Sequence, residues 1–240
     1  MNKNKDFHNP ERRTIEDRAI IERTKHGVQL LQGAFDAVLN RPDVAVVLDV
    51  GAGDTEYADF RQKNYNQDVV RADPDYAYDP PEGESMFVND SACDLSSFEA
   101  DTFGAVISSF MMQHLSKDDQ RAALYEMIRV AAGEQDGQFG YIGIYPVYDE
   151  RKMQNVLRPL DVDAGVVAYD NQYAAKGAIA VKALEFPTLW IKKSPDLTPE
   201  IQAVMVDAIV QSGALDRRKG ISDRRRRKAM VQSGSNRVEV

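Results

Sequence analysis

The sequence predicts an α/β protein, a doubly wound and mostly parallel sheet with helices on both faces. Three observations carry that expectation. Short apolar runs rich in β-branched residues alternate with helical or turn segments between Val44 and Tyr145, the pattern of parallel strands covered on both sides. A glycine turn, Gly51-Ala52-Gly53, directly follows the first run. After Tyr145 the apolar runs crowd together and leave little room for helices, which predicts an antiparallel piece at one sheet edge.

Residues 1–13 are polar and read as a disordered lead-in. From Thr14 the pattern turns helical, with Asp17 three residues on as a capping-box-like partner. Val28, Leu31, Phe35 and Val38 form one apolar helical face, and Asn40, Arg41 and Pro42 end it. "VAVVLDV" (44–50) is too short for a helix and reads as a fully buried strand. "DVVRAD" (68–73), "MFVND" (86–90), "GAVISSF" (104–110) and "FGYIGIY" (139–145) follow as strands two to five. Before the fifth, Ser116 caps a helix reaching about Ala132, with Asp119 at its third position and Leu124, Met127, Ile128 and Ala131 on one side. "GVVAYD" (165–170), "AIAVKALEF" (178–186) and "TLWIKK" (188–193) supply the edge strands. Thr198 to about Ser212 is a further helix.

The bulk numbers narrow the function. The chain has 240 residues, 43% hydrophobic and 28% charged, an ordinary globular composition. Its net charge is −8. From Asp216 to Val240 there are nine Lys/Arg and three Asp/Glu, a local +6, so the remainder carries −14. An acidic body argues against a domain-wide nucleic-acid surface. The basic tail, 214–240, is either a solvated disordered end or an electrostatic clamp on RNA or another polyanion. The lone Cys93 allows no internal disulfide, and the N-terminus has no apolar signal segment. No apolar run approaches the ~20 residues that span a bilayer. A cytoplasmic location is the expectation.

The glycine turn sits where a doubly wound sheet binds ligands, beyond the carboxyl ends of its strands. Asp73 ends the second strand about 20 residues later, where an acid can hold two ribose hydroxyls. These two features suit a dinucleotide. Two others do not. G-x-G-x-x-G needs glycine where Glu56 stands. The turn is also bracketed by Asp49 and Asp54, and like charges ~4 Å apart repel by ~4 kcal/mol at an effective dielectric constant of 20. A ligand with an adenosine, a ribose diol and a cationic amino acid end, but no phosphate, removes the conflict. S-adenosylmethionine (SAM) is such a ligand.

On these residues the sequence resembles the class I SAM-dependent methyltransferases over roughly residues 30–145. "LDVGAGD" is similar to the family's D-x-G-x-G motif, and Asp73-Pro74 to its ribose acid and the residue beside the adenine. "VNDSACDLSSFEADTFGAVISSFMMQHL" (88–115) resembles the stretch with the adenine acid, the fourth strand and a loop ending in His-Leu. The resemblance implies a three-layer α/β/α domain over 14–213 and a seven-stranded sheet with a reversed edge strand. It implies that Asp49, Gly51, Ala52 and Gly53 bind the methionine end of SAM and that Asp73 and Pro74 bind ribose and adenine. Asp90 with Ser91 takes the adenine edge, and Phe110 lines the pocket. "NDSACDL" has one residue more than the usual spacing, which leaves Asp94 as the less favoured alternative to Asp90. Thr55 stands where many members carry a third glycine.

The acceptor is expected to be a small molecule, with no metal required. RNA methylation through the tail and SAM binding without transfer are the rival functions; a dinucleotide oxidoreductase is a distant one. No catalytic base is assigned. Methyl transfer from a sulfonium needs alignment more than proton chemistry, so His114 reads first as a loop residue. Tyr145, Tyr148 and Asp149 read either as loop surface or as substrate contacts, and Cys93 as a small loop residue. "DPP" at 79–81 does not follow the fourth strand, so it is not an amino-methylation motif.

Overall fold

The computed structural model describes residues 27–53, 56–74, 86–134, 138–168, 170 and 186–217. The sequence places β-branched and apolar residues in short blocks of two to five, and these blocks become the sheet. Its strands are β1 (Val46–Val50), β2 (Asp68–Ala72), β3 (Phe87–Val88), β4 (Ala105–Ser109), β5 (Tyr141–Tyr145), β6 (Ala164–Val167) and β7 (Thr188–Lys192). They lie in the order β3-β2-β1-β4-β5-β7-β6. β1 to β5 are parallel, and β7 enters antiparallel between β5 and β6. The seven strands and reversed edge are those expected. The edge segment 178–186 lies outside the described residues apart from Phe186.

Two apolar layers cover the sheet. α1 (Gly27–Leu39) and α2 (Tyr57–Tyr65) close one face over Val47, Val69, Ala105 and Ile107. α3 (Lys117–Val130), α4 (Glu150–Leu157) and α5 (Pro199–Ser212) close the other over Leu48, Val50, Val106 and Ile142. β1 is buried from both sides, which is why its run reads as continuously apolar.

The helix signals act as their chemistry predicts. Ser116 caps α3 by accepting from Asp119 N at 3.2 Å, and Thr198 caps α5 by accepting from Ile201 N at 3.4 Å. α1 ends at Leu39, before Arg41 and Pro42. Its buried face is Leu30, Leu31, Ala34, Phe35 and Leu39, with Val28 and Val38 only partly buried, so the apolar stripe is rotated slightly from the expected one. The expected start of that helix near Thr14 lies outside the described residues.

α4 was not predicted. Only Met153 and Leu157 of its residues are buried, and one i,i+4 pair is too little periodicity to recognise. Its N-cap is Asp149, whose Oδ1 accepts from Lys152 N at 3.2 Å. The strand expected at 165–170 runs instead over Ala164–Val167, and the one at 86–90 shrinks to Phe87–Val88.

Candidate functional site

The predicted residues lie at the carboxyl ends of β1, β2, β3 and β4. Gly51 has φ +69° and Gly53 has φ +53°, the left-handed region that side chains with a Cβ disfavour. Gly51 N donates to Ala72 O at 2.7 Å, which ties the turn to the end of β2. Gly53 N donates to Asp73 Oδ2 at 3.0 Å. The buried ribose-acid candidate and the glycine turn are therefore one hydrogen-bonded unit, although 20 residues separate them. Ala52 is buried beneath the turn, and Pro74 follows Asp73 in a partly exposed turn. Asp54 and Thr55 lie outside the described residues.

Gly51 has a second reason to be glycine. A Cβ built on it would lie 2.6 Å from Met111 Cγ and 2.9 Å from Met111 Cβ. Met111 thus roofs the turn from the loop after β4, a placement no local sequence signal announces. Its neighbour Phe110 has φ +57°, which is costly for an aromatic residue. That conformation lets Phe110 N donate to Tyr145 O at 2.8 Å and sets its ring 5.3 Å from that of Tyr145, nearly perpendicular. Strain at this point is consistent with a loop shaped for a ligand.

Asp49 is the electrostatic centre of the site. It is 1% exposed on β1, and neither carboxylate oxygen has a hydrogen-bond partner among the described residues. Burial pushes its carboxyl up from its ordinary 3.8 to about 7; Arg71 pulls it down and Asp73 pushes it further up. A buried acid with both oxygens unbonded is costly unless something binds them. An ammonium is the simplest complement, so the residues present fit the methionine end of SAM.

Arg71 is the other feature that sequence reading passed over. It is in register with Asp49 on β2 and is also buried. Nη2 forms a 2.5 Å ion pair with Asp59 Oδ2 on α2, off-line for a hydrogen bond, and Nε has no hydrogen-bond partner among the described residues. A lone arginine inside an otherwise apolar strand run was the available signal.

At the end of β3, Asp90 accepts from Ser97 Oγ at 2.9 Å and Ser97 N at 3.3 Å. Ser91 turns into its own loop, its Oγ accepting from Cys93 N at 3.3 Å. Asp94 is exposed and accepts from Ser96 N. Asp90 is thus held by the loop that follows it.

Beyond β4 and β5, Tyr148 Oη hydrogen-bonds Gln113 Oε1, and Gln113 Nε2 lies 3.0 Å from His114 Nε2. His114 is exposed on a short 3₁₀ turn, Met112–His114. Tyr148 is buried and packs on Phe186 with ring centroids 4.8 Å apart. Tyr145 is buried as well, so neither tyrosine is loop surface. Asp149 serves as the cap of α4. Cys93 is half-buried, and burial pushes its thiol up, away from a reactive thiolate. Among the described residues, no three His, Cys, Asp or Glu side chains are grouped to hold a metal ion, and no helix is long and apolar enough to cross a membrane.

Residues 48–135 match the family model described as "Methyltransferase domain". No curated protein matches the chain. Several solved structures share its fold. One is the 1,6-didemethyltoxoflavin-N1-methyltransferase of Burkholderia thailandensis, solved with 1,6-didemethyltoxoflavin and S-adenosylhomocysteine. It is 18% identical, with 72% of this chain and 81% of that chain covered and a TM-score of 0.50. A second belongs to the complex between the Haloferax volcanii Trm112 methyltransferase activator and a putative methyltransferase: 13% identity, 75% and 94% covered, TM-score 0.50. A third is a putative S-adenosyl-L-methionine-dependent methyltransferase of Methanococcus maripaludis: 13% identity, 75% and 91% covered, TM-score 0.50.

Proposed function

We propose that this chain is a class I SAM-dependent methyltransferase that methylates a small molecule bound over the ends of β4 and β5, a reading supported by the methyltransferase-domain match and the shared fold. The observation that carries the cofactor side is Asp49, buried and with both oxygens unbonded at the glycine turn. In this reading residues 14–213 make up the catalytic domain of a cytoplasmic enzyme.

SAM supplies an electrophilic methyl group; the protein supplies alignment. Asp49 accepts the ammonium, directly or through a water. Gly51, Ala52 and Gly53 give the amino acid end close access to the backbone. Asp73, already oriented by Gly53 N, accepts from the ribose hydroxyls. Pro74 flanks the adenine, and Asp90 with Ser91 takes its edge. Phe110 and Met111 form the wall between cofactor and acceptor. Tyr145, Tyr148 and Phe186 form the buried aromatic backing of the acceptor side, and Gln113 and His114 add polar groups. The −14 charge of the body favours an acceptor that is not a polyanion.

A thermal-shift panel with SAM, S-adenosylhomocysteine, NAD, NADP and ATP tests the cofactor. A ligand at 100 times its Kd adds ~2.7 kcal/mol of apparent stability. SAM and S-adenosylhomocysteine should shift the melting temperature; a shift with NAD alone would overturn the reading. Asp73→Ala should weaken SAM and adenosine alike, by roughly 10- to 100-fold. Transfer of labelled methyl from SAM into the small-molecule fraction of a cell extract tests the acceptor. Label in the RNA fraction, lost when residues 218–240 are removed, would favour RNA instead.

A further inference from the structure

We propose that Arg71 is a positioning residue for the cofactor's amino acid end, acting through Asp49: it is the counter-charge that favours the ionised form of that carboxylate while leaving both its oxygens open. The inference rests on Asp49 as the ammonium acceptor.

The geometry is specific. Asp49 and Arg71 are register partners on adjacent parallel strands. Residues so paired point to the same face, with the strands ~4.8 Å apart. Both are buried, and no hydrogen bond joins them. A direct bidentate bond would occupy the oxygens that a ligand needs. Charge held alongside without a bond favours the ionised acid and keeps its lone pairs available.

Every other group facing Asp49 fails to supply that charge. β2 adds Asp73 at its end, which opposes ionisation. β4 presents Ile107 in register, which is apolar. α2 presents Tyr57 and Asp59, neither of them cationic. α1 presents Asp36, and the arginine there, Arg61, is bound to it at 2.9 Å. Arg71 is the cation that remains among the described residues.

A bland alternative is that Arg71 only anchors α2 through Asp59. An exposed lysine could pair with Asp59, which is 39% exposed. That task does not require an arginine buried inside the sheet face with Nε unbonded.

The test reads the acid itself. The Asp49 carboxyl is titrated by carbon NMR in the full chain without cofactor. In parallel, S-adenosylhomocysteine and adenosine affinities are measured by calorimetry from about pH 5 to 7.5, below the range where an α-amino group loses its proton. Wild-type affinity for S-adenosylhomocysteine should rise with pH along the Asp49 titration, while adenosine stays flat. Arg71→Met should raise the Asp49 midpoint by about 1–3 pH units. Arg71→Lys should restore most of it. Asp59→Asn, at a half-exposed position on α2, removes the carboxylate that competes for the guanidinium and should lower the midpoint by about half a unit.

A midpoint unmoved in Arg71→Met, or equal in the Met and Lys variants, overturns the proposal. If Arg71→Met does not fold, an unmoved midpoint in Asp59→Asn decides against it. Failure of S-adenosylhomocysteine to bind wild type at any pH would instead defeat the methyltransferase reading, and the carboxyl titration would still judge Arg71.

Discussion

Two buried acid–arginine clusters lie under the same pair of helices, and they are built in opposite ways. In the first, Asp36 on α1 meets Arg61 on α2 at 2.9 Å, and both are almost wholly buried. Arg61 also donates to Asn40, Leu39 O and Gln67, and Asp36 accepts from Tyr57 Oη at 3.0 Å. Gln67 in turn donates to Leu39 O and Val44 O. In the second cluster neither Asp49 oxygen has a hydrogen-bond partner among the described residues, and the Arg71 guanidinium pairs outward with Asp59. A satisfied network joins two helices and is complete in itself. An unsatisfied one costs stability and is kept where a ligand completes it. The contrast separates scaffold from site more sharply than burial or residue type could.

The largest expected effect breaks the first cluster. Arg61→Met leaves Asp36 buried without its counter-charge, and should cost about 3–5 kcal/mol in urea denaturation. SAM affinity of the folded fraction should stay within about twofold, since no bond of this network reaches the glycine turn. A large loss of affinity at unchanged stability would merge the two clusters functionally.

Asp49→Asn breaks the second cluster and should behave oppositely. SAM affinity should fall roughly 10- to 100-fold, the worth of a charge-assisted bond, while adenosine binding barely changes. Equal losses for both ligands would sink the assignment of Asp49 to the ammonium. Stability without ligand should not fall. Because folding raises the acid from 3.8 to about 7, the folded state binds the proton more tightly. Wild-type stability therefore declines as pH rises from about 4 to about 7, by up to about 1.4 kcal/mol per pH unit from this group. The Asn variant should lose that slope, which denaturation at several pH values would reveal.

Gly51→Ala sharpens the comparison with a smaller, steric effect. The left-handed backbone alone should cost about 1–2 kcal/mol, and the new Cβ must also displace Met111. Adding Met111→Ala removes the 2.6 Å contact with Cγ but keeps the residue 111 Cβ at 2.9 Å, so it should recover only part of the steric cost and leave the backbone cost. Complete recovery in the double variant, measured by thermal unfolding, would show that φ at Gly51 imposes no strain.

How much of this was legible depended on the range of the signal. "LDVGAGD" announced its strand, its turn and its glycines because strand and turn propensities act over a few residues. Asp73 was found by its place at a strand end, and its bond to Gly53 N then gave that placement a geometric basis. Asp149 was misjudged: it lay beside two tyrosines, and only the weakly periodic α4 revealed it as a helix cap. Arg71 was visible as a letter, but its meaning required the register that sets it beside Asp49.

The sequence by itself determined the five parallel strands, the antiparallel piece after Tyr145 and the glycine turn, because each rests on local periodicity or on a residue with special backbone freedom. Only the tertiary structure decided which buried acid is held and which is open. Asp36 and Asp49 are the same side chain, both buried among apolar neighbours. They differ because Tyr57 and Arg61, 21 and 25 residues from Asp36, fold back onto it, while β2 brings Arg71 beside Asp49 without bonding it. Hydrogen-bond satisfaction is a property of neighbours in space, and the chain acquires those neighbours only on folding.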